Sequence, residues 1–223
     1  MKYYFSLILG SLISLHGCTQ GTSGTRIVNQ PGPADIKVGG PCEDCEAIYE
    51  SPVPFEQLNT IDTLADFLDR GPRLHVSGTI FQKDGKTPAP HVVMYFYHTD
   101  QTGIYPKRGN EKGIDKKHGF LRGWVRTDQN GYYSFYTLVP ASYPNSNNPK
   151  HIHAIIKEPG KTEYWIDDFL FADDPLLPPA EKARAQPVGG QGVLKTVMKD
   201  GLLEARRDIF LGLNVRNYPS ARE

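Results

Sequence analysis

The sequence predicts an all-β fold, an antiparallel β-sandwich domain preceded by a mostly irregular N-terminal extension. Gly occurs 22 times and Pro 18 times in 223 residues, which is typical of a chain with many turns. Short runs of alternating apolar and polar residues follow one another from Arg73 onwards. Turn signals such as Asp84-Gly85 and Asn130-Gly131 separate the runs, and this combination indicates hairpins in a sandwich.

The first residues indicate export and lipid anchoring. Met1-Lys2 is a short basic start, and the stretch from Phe5 to Leu15 is mostly apolar. The following Gly17-Cys18 resembles the end of a bacterial lipoprotein cleavage box, so we expect residues 1–17 to be a signal peptide and Cys18 to carry lipid. Thr19 is not acidic, which favours an outer-membrane anchor. The alternative is an ordinary signal peptide that contains a cysteine.

Two segments are predicted between this peptide and the sandwich. Residues 18–40 are rich in Gly, Thr, Pro and Asn and read as a flexible tether. Residues 41–72 form the N-terminal extension, in which apolar residues between Phe55 and Leu68 recur at helical intervals and predict a short helix. The sandwich domain is expected over 73–223.

The extension contains the pair Cys42 and Cys45. Because an exported chain meets an oxidising compartment, a structural disulfide is the favoured interpretation. A redox-active Cys-x-x-Cys is the alternative, although no βαβ pattern surrounds it. A four-cysteine zinc site is excluded because the chain has only three cysteines, these two and Cys18.

Seven strands are predicted within the sandwich from alternation and from β-branched or aromatic content. They are expected at 74–81, 91–98, 124–127, 132–137, 150–157, 164–171 and 208–213. Residues 172–205 contain Pro175, Pro178, Pro179 and Gly189-Gly190, and we expect a long surface excursion there, with a helical turn near 180–185.

Composition and motifs exclude several functions. Lys+Arg and Asp+Glu each number 25, so no excess of positive charge indicates a nucleic-acid partner. The chain has no Gly-x-Gly-x-x-Gly or P-loop pattern, so no nicotinamide, flavin or nucleotide site is expected.

The motif His151-Ile152-His153 is the strongest functional signal. Residues i and i+2 of a strand point to one face, about 7 Å apart along the chain, so both imidazoles face one point while Ile152 packs behind them. This arrangement suits a metal ion. Because zinc and copper sites also use His-x-His, the pair alone does not choose the metal.

Two tyrosines strengthen the metal hypothesis. Tyr105 and Tyr143 each follow a predicted strand, and each is followed by a proline. These tyrosines belong to an ordered set of motifs, which is less easily explained by chance than any one tyrosine. The order along the chain is a strand, Gly103-x-Tyr105-Pro, Thr127-Asp128-x-x-Gly131, Tyr143-Pro and His151-x-His153.

This ordered set resembles the intradiol ring-cleavage dioxygenases, the family of catechol 1,2- and protocatechuate 3,4-dioxygenases. The resemblance covers about residues 73–175 and the last strand, and implies a β-sandwich catalytic domain. It implies that Tyr105, Tyr143, His151 and His153 ligate a non-haem Fe(3+) ion. The implied reaction joins a small aromatic diol and O2 into a cis,cis-muconate-type diacid, with Tyr143 as the ligand that dissociates and Tyr105 as the one that stays.

The sequence departs from the family pattern beside the metal. Asn148 stands where the family usually has an arginine, and Asp168 stands where it often has a glutamine. Asn148, Asp168 and Ile104, the neighbour of Tyr105, are therefore candidate substrate-binding residues. Arg122, at the entry of the 124–127 strand, is a candidate for the missing positive charge.

Two other functions stay open at this stage. The strand motif Val76-x-Gly78-x-Ile80 with Asp84-Gly85 also resembles transthyretin-like and carboxypeptidase-regulatory-like domains, which are non-catalytic binding modules. Such modules do not need the tyrosines and the histidine pair. An iron-binding homologue with altered activity is the second alternative, because of Asn148 and Asp168. The oligomeric state is not indicated.

Overall fold

The computed structural model describes residues 29–220. The expected signal peptide, Cys18 and the first part of the tether lie outside the described residues. Eleven strands and two short helices are described there. The strands are β1 Ile61–Thr63, β2 Arg73–Phe81, β3 Val93–His98, β4 Arg122–Arg126, β5 Tyr132–Leu138, β6 His151–Lys157, β7 Tyr164–Phe171, β8 Val193–Leu194, β9 Val197–Lys199, β10 Leu202–Arg206 and β11 Ile209–Phe210; the helices are α1 Asp115–His118 and α2 Pro179–Lys182.

The strands form two sheets, which confirms the predicted all-β sandwich. The first sheet has the order β1-β5-β2-β10-β9, with β11 also paired to β2, and the second has the order β4-β3-β6-β7-β8. The prediction of an antiparallel sandwich holds for the central pairs of both sheets. It is wrong for four other pairs, β1 with β5, β8 with β7, β10 with β2 and β11 with β2, which are parallel. Parallel pairing arises because long connections return these segments to the same end of the sheet.

The main core lies between the two sheets. On β2, Leu74, Val76 and Ile80 point inward and are fully buried, while the residues between them are partly exposed. Phe96 of β3 stacks on Phe135 of β5 with ring centroids 4.1 Å apart, so the two sheets meet through aromatic side chains. This core fixes the second sheet as a rigid platform whose outer face is free to carry a site.

The N-terminal extension packs on the sandwich. The short helix predicted between Phe55 and Leu68 is wrong: a 3-10 turn at Phe55–Gln57 is followed by strand β1. Strand β1 forms because the edge of β5 offers unpaired backbone groups, and Ile61–Thr63 pairs with them in parallel. The Asp62 carboxylate also accepts a hydrogen bond from the Trp124 backbone, which ties β1 to the other sheet.

A second apolar cluster lies on the outer face of the second sheet. The 3-10 segment Cys45–Glu50 buries Ile48 and Tyr49 against Tyr95, Trp124 and Ile155. A disulfide joins Cys42 to Cys45 at the start of this segment. The extension therefore covers one part of the outer face and leaves the end of β6 that carries the histidines for the site.

The region 172–205 returns to both sheets. Helix α2 lies at the start of the helical turn predicted near 180–185, and β8 then extends the second sheet beside β7. Strands β9 and β10 form a hairpin that joins the first sheet. Between residues 29 and 220, none of the helices has the length and apolar character needed to cross a membrane.

Candidate metal centre and cleft

The histidine pair lies on the outer face of the second sheet. Strand β6 alternates at its start, so Ile152 is fully buried in the core while His151 and His153 are partly exposed on the opposite face. Strands β3 and β7 flank β6 on its two sides. The imidazoles are therefore held by a central strand, which gives them a fixed direction.

The two tyrosines reach the histidines from loops that touch each other. The Asp100 carboxylate accepts hydrogen bonds from the backbone of Thr102 and Ile104, which folds the loop before Tyr105. Gly103 in this loop has φ 78°, and a Cβ there would lie 2.0 Å from the carbonyl oxygen of Ser142. The Tyr105 loop is thus packed directly against the residue before Tyr143.

Four polar side-chain atoms converge at this point. The hydroxyl oxygens of Tyr105 and Tyr143 are 2.5 Å apart, and Nε2 of His153 lies 3.0 Å from the Tyr105 oxygen and 3.3 Å from the Tyr143 oxygen. Nε2 of His151 lies 3.1 Å from the Tyr143 oxygen and 3.1 Å from Nε2 of His153. The structure brings together all four residues that the sequence predicts as ligands.

The hydrogen-bond partners of the imidazoles show which ring nitrogen carries the proton and which directs a lone pair at the cluster. Nδ1 of His151 lies 2.7 Å from the Pro149 carbonyl oxygen, an acceptor only, so Nδ1 donates its proton there. Nδ1 of His153 donates in the same way to the Asp168 carboxylate over 2.9 Å. Both Nε2 atoms are therefore unprotonated acceptors that face each other. Two facing lone pairs repel unless a proton or a cation lies between them.

Burial favours the neutral form of the side chains in the cluster. It raises the pKa of both Tyr105 and Tyr143, and the hydrogen bond with Tyr143 raises the pKa of Tyr105 further. Burial, together with the neighbouring His153, lowers the pKa of His151. Burial thus favours a free lone pair on His151, whereas the phenols need a nearby positive charge before they ionise.

Comparison with known proteins identifies the family. The sequence model of the Dioxygenase family matches residues 46–208, which is most of the chain. The chain belongs to the intradiol ring-cleavage dioxygenases. It is similar to catechol 1,2-dioxygenase 2 of Acinetobacter lwoffii, with 29% identity over 153 residues, covering 55% of this chain and 53% of the relative. It is also similar to the protocatechuate 3,4-dioxygenase beta chain of Burkholderia cepacia, with 27% identity over 113 residues and 48% coverage of each chain.

Solved structures of dioxygenases have the same fold. The dioxygenase domain of a carbohydrate-binding fusion protein from Streptomyces sp. SirexAA-E matches with a TM-score of 0.52 at 23% identity, covering 67% of this chain and 85% of that domain. Catechol 1,2-dioxygenase from Acinetobacter sp. ADP1 gives 0.52 at 22% identity, covering 74% of this chain and 61% of that one. The chain spans about half the length of the curated relatives it matches.

The donor set of this chain fits a ferric ion. Two phenol oxygens become anionic beside a strong positive charge, and hard cations favour anionic oxygen ligands. Two imidazole lone pairs complete the set. His151, His153 and Asp168 also have ligand atoms within 4.8 Å of one another. Asp168, however, binds the imidazole nitrogen that points away from the tyrosines, so it stands behind His153.

A cleft of about 610 Å³ opens beside the cluster. Tyr143, His151 and His153 line its inner end, and Asn148 and Asp168 line its walls. Tyr105 is absent from this lining and lies deeper. Asn148 and Asp168 therefore face the cleft, as expected for candidate substrate-binding residues. One carboxylate oxygen of Asp168, however, already accepts the hydrogen bond from His153.

The other two candidate substrate-binding residues lie elsewhere. Arg122 donates to the Glu50 carboxylate over 2.7 Å, and its guanidinium lies over the Trp124 ring. It lines a separate pocket with Glu50 and Asp115, so it does not supply positive charge to the cleft. Ile104 is 56% exposed and does not line the cleft. Glu50 comes from the N-terminal extension, whose packing the strand pattern did not reveal.

Three residues at the site were not predicted. Tyr97 of β3 stacks on His153, with ring centroids 4.6 Å apart. Trp165 of β7 is 40% exposed and lines the cleft, and Arg184 of the 172–205 region lines it too. Strand alternation places Trp165 on the outer face, so the sequence contains a signal for it. Arg184 has no such signal, because its region was interpreted as a surface excursion.

Proposed function

We propose that the protein catalyses the Fe(III)-dependent intradiol cleavage of a catechol-type ring with O2, which yields a cis,cis-muconate-type diacid. The observation that carries this proposal is the convergence of two phenol oxygens and two imidazole nitrogens, each of which lies within 3.3 Å of at least two of the others. Family membership supports it. A ferric ion held there by Tyr105, Tyr143, His151 and His153 would supply the positive charge that ionises the phenols and the Lewis acidity that activates a catechol.

The two tyrosines have different access to the substrate, and this suggests different roles. Tyr143 lines the cleft, whereas Tyr105 lies behind it. A substrate hydroxyl entering from the cleft meets Tyr143 first, so Tyr143 accepts the proton that the substrate loses. Burial raises the pKa of Tyr143, which makes its phenolate a stronger base for this transfer. Tyr105 stays in place and holds the cluster together.

The cleft walls provide the binding surface. Trp165 offers an aromatic face, and the amides of Asn147, Asn148 and Gln191 offer donors and acceptors. Arg184 is bound to Asp167 and Glu181, so its charge is largely compensated. We infer that the cleft accepts neutral catechols more readily than catechols that carry a carboxylate.

The deciding experiment is an oxygen-uptake assay of the iron-loaded protein. Catechol, hydroxyquinol and protocatechuate are compared, and products are identified by mass spectrometry after reaction with ¹⁸O2. We expect a visible absorption band from phenolate-to-iron charge transfer, and a diacid in which both labelled oxygen atoms are incorporated. Zinc-loaded protein is the control, with neither colour nor uptake. A coloured, iron-loaded protein that consumes no O2 with any catechol would instead support the homologue with altered activity.

We also propose that the protein is exported and anchored to the outer membrane through lipid on Cys18. The support is the sequence from Met1 to Cys18 alone. Labelling of the wild type with radioactive palmitate, absent in Cys18→Ser, tests the lipid attachment. Membrane fractionation of the same two proteins tests the anchor, and a wild-type protein without label would contradict it.

A further inference from the structure

Strand β7 contains an irregularity directly opposite His153. Ile152 pairs with Phe169 and Ala154 pairs with Ile166, so the single residue His153 faces the two residues Asp167 and Asp168. This is a β-bulge, and bulges beside functional sites change the direction of a side chain. Asp168 thereby turns to the outer face, where its carboxylate meets Nδ1 of His153.

The 184–192 segment holds this bulge in place. The Asp167 backbone donates to the Val188 carbonyl over 3.0 Å, and the Leu170 backbone donates to the Gly192 carbonyl over 2.9 Å. A Cβ at Gly192 would lie 2.2 Å from the Asp168 carbonyl oxygen, so only glycine permits this approach. The position of Asp168 is therefore fixed by its backbone as well as by its side chain.

A buried cation stands behind the bulge. Arg207 is 3% exposed, lies 4.4 Å from the centre of the Phe169 ring, and comes within 3.6 Å of the Cβ position at Gly192. Among residues 29–220, its Nε and Nη1 have no hydrogen-bond partner. Burial alone would raise the pKa of Asp168, but the hydrogen bond to His153 and the charge of Arg207 hold it below its usual value.

We propose that Asp168 is a positioning residue that acts through His153, and that Arg207 balances its charge from behind the strand. The inference rests on the proposed function, because it concerns the same metal centre. The carboxylate fixes the ring orientation and keeps the proton on Nδ1, which directs the Nε2 lone pair at the cluster. The negative charge also makes this imidazole a stronger donor to a cation.

The two histidines are thereby made unequal. His151 donates to the neutral carbonyl of Pro149, whereas His153 donates to a carboxylate. Charged acceptors form the stronger hydrogen bonds, so His153 is the better oriented and the more electron-rich ligand. Asp168 therefore serves the metal side of the site, and the substrate-binding role predicted for it is not needed to explain its position.

The first test measures histidine tautomers by long-range ¹H–¹⁵N correlation in the iron-free protein at neutral pH. We expect His153 to carry its proton on Nδ1 in the wild type and in Asp168→Asn, whose amide oxygen still accepts, and to lose this preference in Asp168→Ala. A His153 that is protonated on Nε2 in the wild type, or unchanged in Asp168→Ala, would overturn the proposal.

The second test measures ferric binding by competition with a chelator, together with the position of the visible band. Asp168→Ala should bind iron about 10- to 100-fold more weakly. Asp168→Asn should bind within a few-fold of wild type but shift the band, because the charge is lost while the hydrogen bond remains. Asp200→Asn is the charge control: it removes an exposed carboxylate in the turn between β9 and β10, away from the cleft and the bulge, and should change neither quantity.

The outcomes separate this inference from the proposed function. If the wild type binds iron and cleaves catechols while Asp168→Ala keeps its iron affinity and its band, the positioning role is wrong and the function stands. If the wild type gains no band with iron but its His153 tautomer depends on Asp168, the function is wrong and the positioning role stands. An Asp200→Asn effect equal to that of Asp168→Asn would reduce the role to unspecific charge and overturn it.

Discussion

Two clusters of aromatic and polar side chains lie on either side of Tyr97, and they are built in opposite ways. The Tyr97 ring stacks on His153 at 4.6 Å and on His118 at 3.7 Å. On the His118 side, Tyr95 donates to Nδ1 of His118 over 2.8 Å, and Arg122 donates to Glu50 over 2.7 Å. The Tyr95 hydroxyl and the Arg122 guanidinium each have an acceptor there.

On the His153 side, the two Nε2 acceptors face each other, and the protons beside them are those of the two phenol hydroxyls. The Nδ1 protons of both histidines are used outside the cluster, so two lone pairs and two hydroxyl groups share one small volume. We call the group of Tyr95, His118, Arg122 and Glu50 the saturated cluster, and the group of Tyr105, Tyr143, His151 and His153 the unsaturated cluster. The saturated cluster stabilises the fold without further partners, whereas the unsaturated cluster is suited to a cation. The arrangement of hydrogen atoms, more than residue type, therefore distinguishes a metal centre from a structural network.

The largest effect is expected from breaking the unsaturated cluster. Tyr105→Phe removes one anionic oxygen, so the visible band of the iron-loaded protein should lose most of its intensity. We expect kcat/KM to fall about 100-fold or more, equivalent to about 3 kcal/mol of transition-state stabilisation. Absorption spectra and oxygen uptake measure both effects. Tyr132→Phe on the outside of β5 is the control, and a full band in Tyr105→Phe would remove Tyr105 from the ligands.

The contact between the two tyrosine loops comes next. Gly103→Ala would place a methyl group 2.0 Å from the Ser142 carbonyl oxygen, at a φ of 78°. The loops must separate, so we expect weaker iron binding and a loss of about 3 kcal/mol in unfolding free energy. Gly109→Ala is a matched control, because its φ is 89° but nothing lies within 4 Å. It should cost about 1 kcal/mol and leave iron binding unchanged.

Urea unfolding and iron titration of these two variants separate the causes. Equal losses of iron affinity in both would show that backbone strain, not loop contact, is responsible.

The sequence contains enough information for the scaffold of the unsaturated cluster. Alternation identifies β6 and places His151 and His153 on one face, and the positions after β3 and β5 locate the tyrosines. Those signals are local, because strand period and turn chemistry are properties of short segments.

Contacts between distant segments were not predicted for the same reason. Arg122 belongs to the saturated cluster because Glu50 arrives from the extension, and Asp168 meets His153 because the 184–192 segment holds a bulge. Neither event leaves a pattern within its own strand. The same reason explains why strand β1 forms where the sequence predicts a helix. Pairing with the edge of β5 determines the structure there, rather than the helical spacing of the apolar residues.

Breaking the saturated cluster should lower the free energy of unfolding without changing the metal centre. Arg122→Gln leaves the largely buried Glu50 carboxylate without its cation, and we expect a loss of about 2 kcal/mol in unfolding free energy. The visible band of the iron-loaded protein and kcat should stay at wild-type values, because Arg122 lies outside the cleft. Chemical unfolding and steady-state kinetics measure the two. A kcat loss in a folded Arg122→Gln variant would restore Arg122 as the missing catalytic charge.

The smallest effect concerns the acid sensitivity of the saturated cluster. Burial lowers the pKa of His118 to about 4, and its Nδ1 already accepts a proton from Tyr95. The unfolded histidine titrates near 6.5, so the unfolded state binds more protons between these values. Stability from this group is complete above about pH 6.5 and is lost as pH falls towards about 4, by about 1–2 kcal/mol after solvent relaxation.

His118→Asn keeps an acceptor near the Tyr95 hydroxyl but removes the titration. Urea midpoints of this variant should therefore fall less steeply than those of the wild type between about pH 6.5 and 4. At pH 7 its unfolding free energy should lie about 1–2 kcal/mol below the wild-type value, because the hydrogen bond is replaced but the stacking of the His118 ring on Tyr97 is lost. Parallel slopes for the two proteins would mean that His118 is not the group that senses acid. They would also mean that protonation of its Nδ1, which already accepts from Tyr95, does not destabilise the saturated cluster.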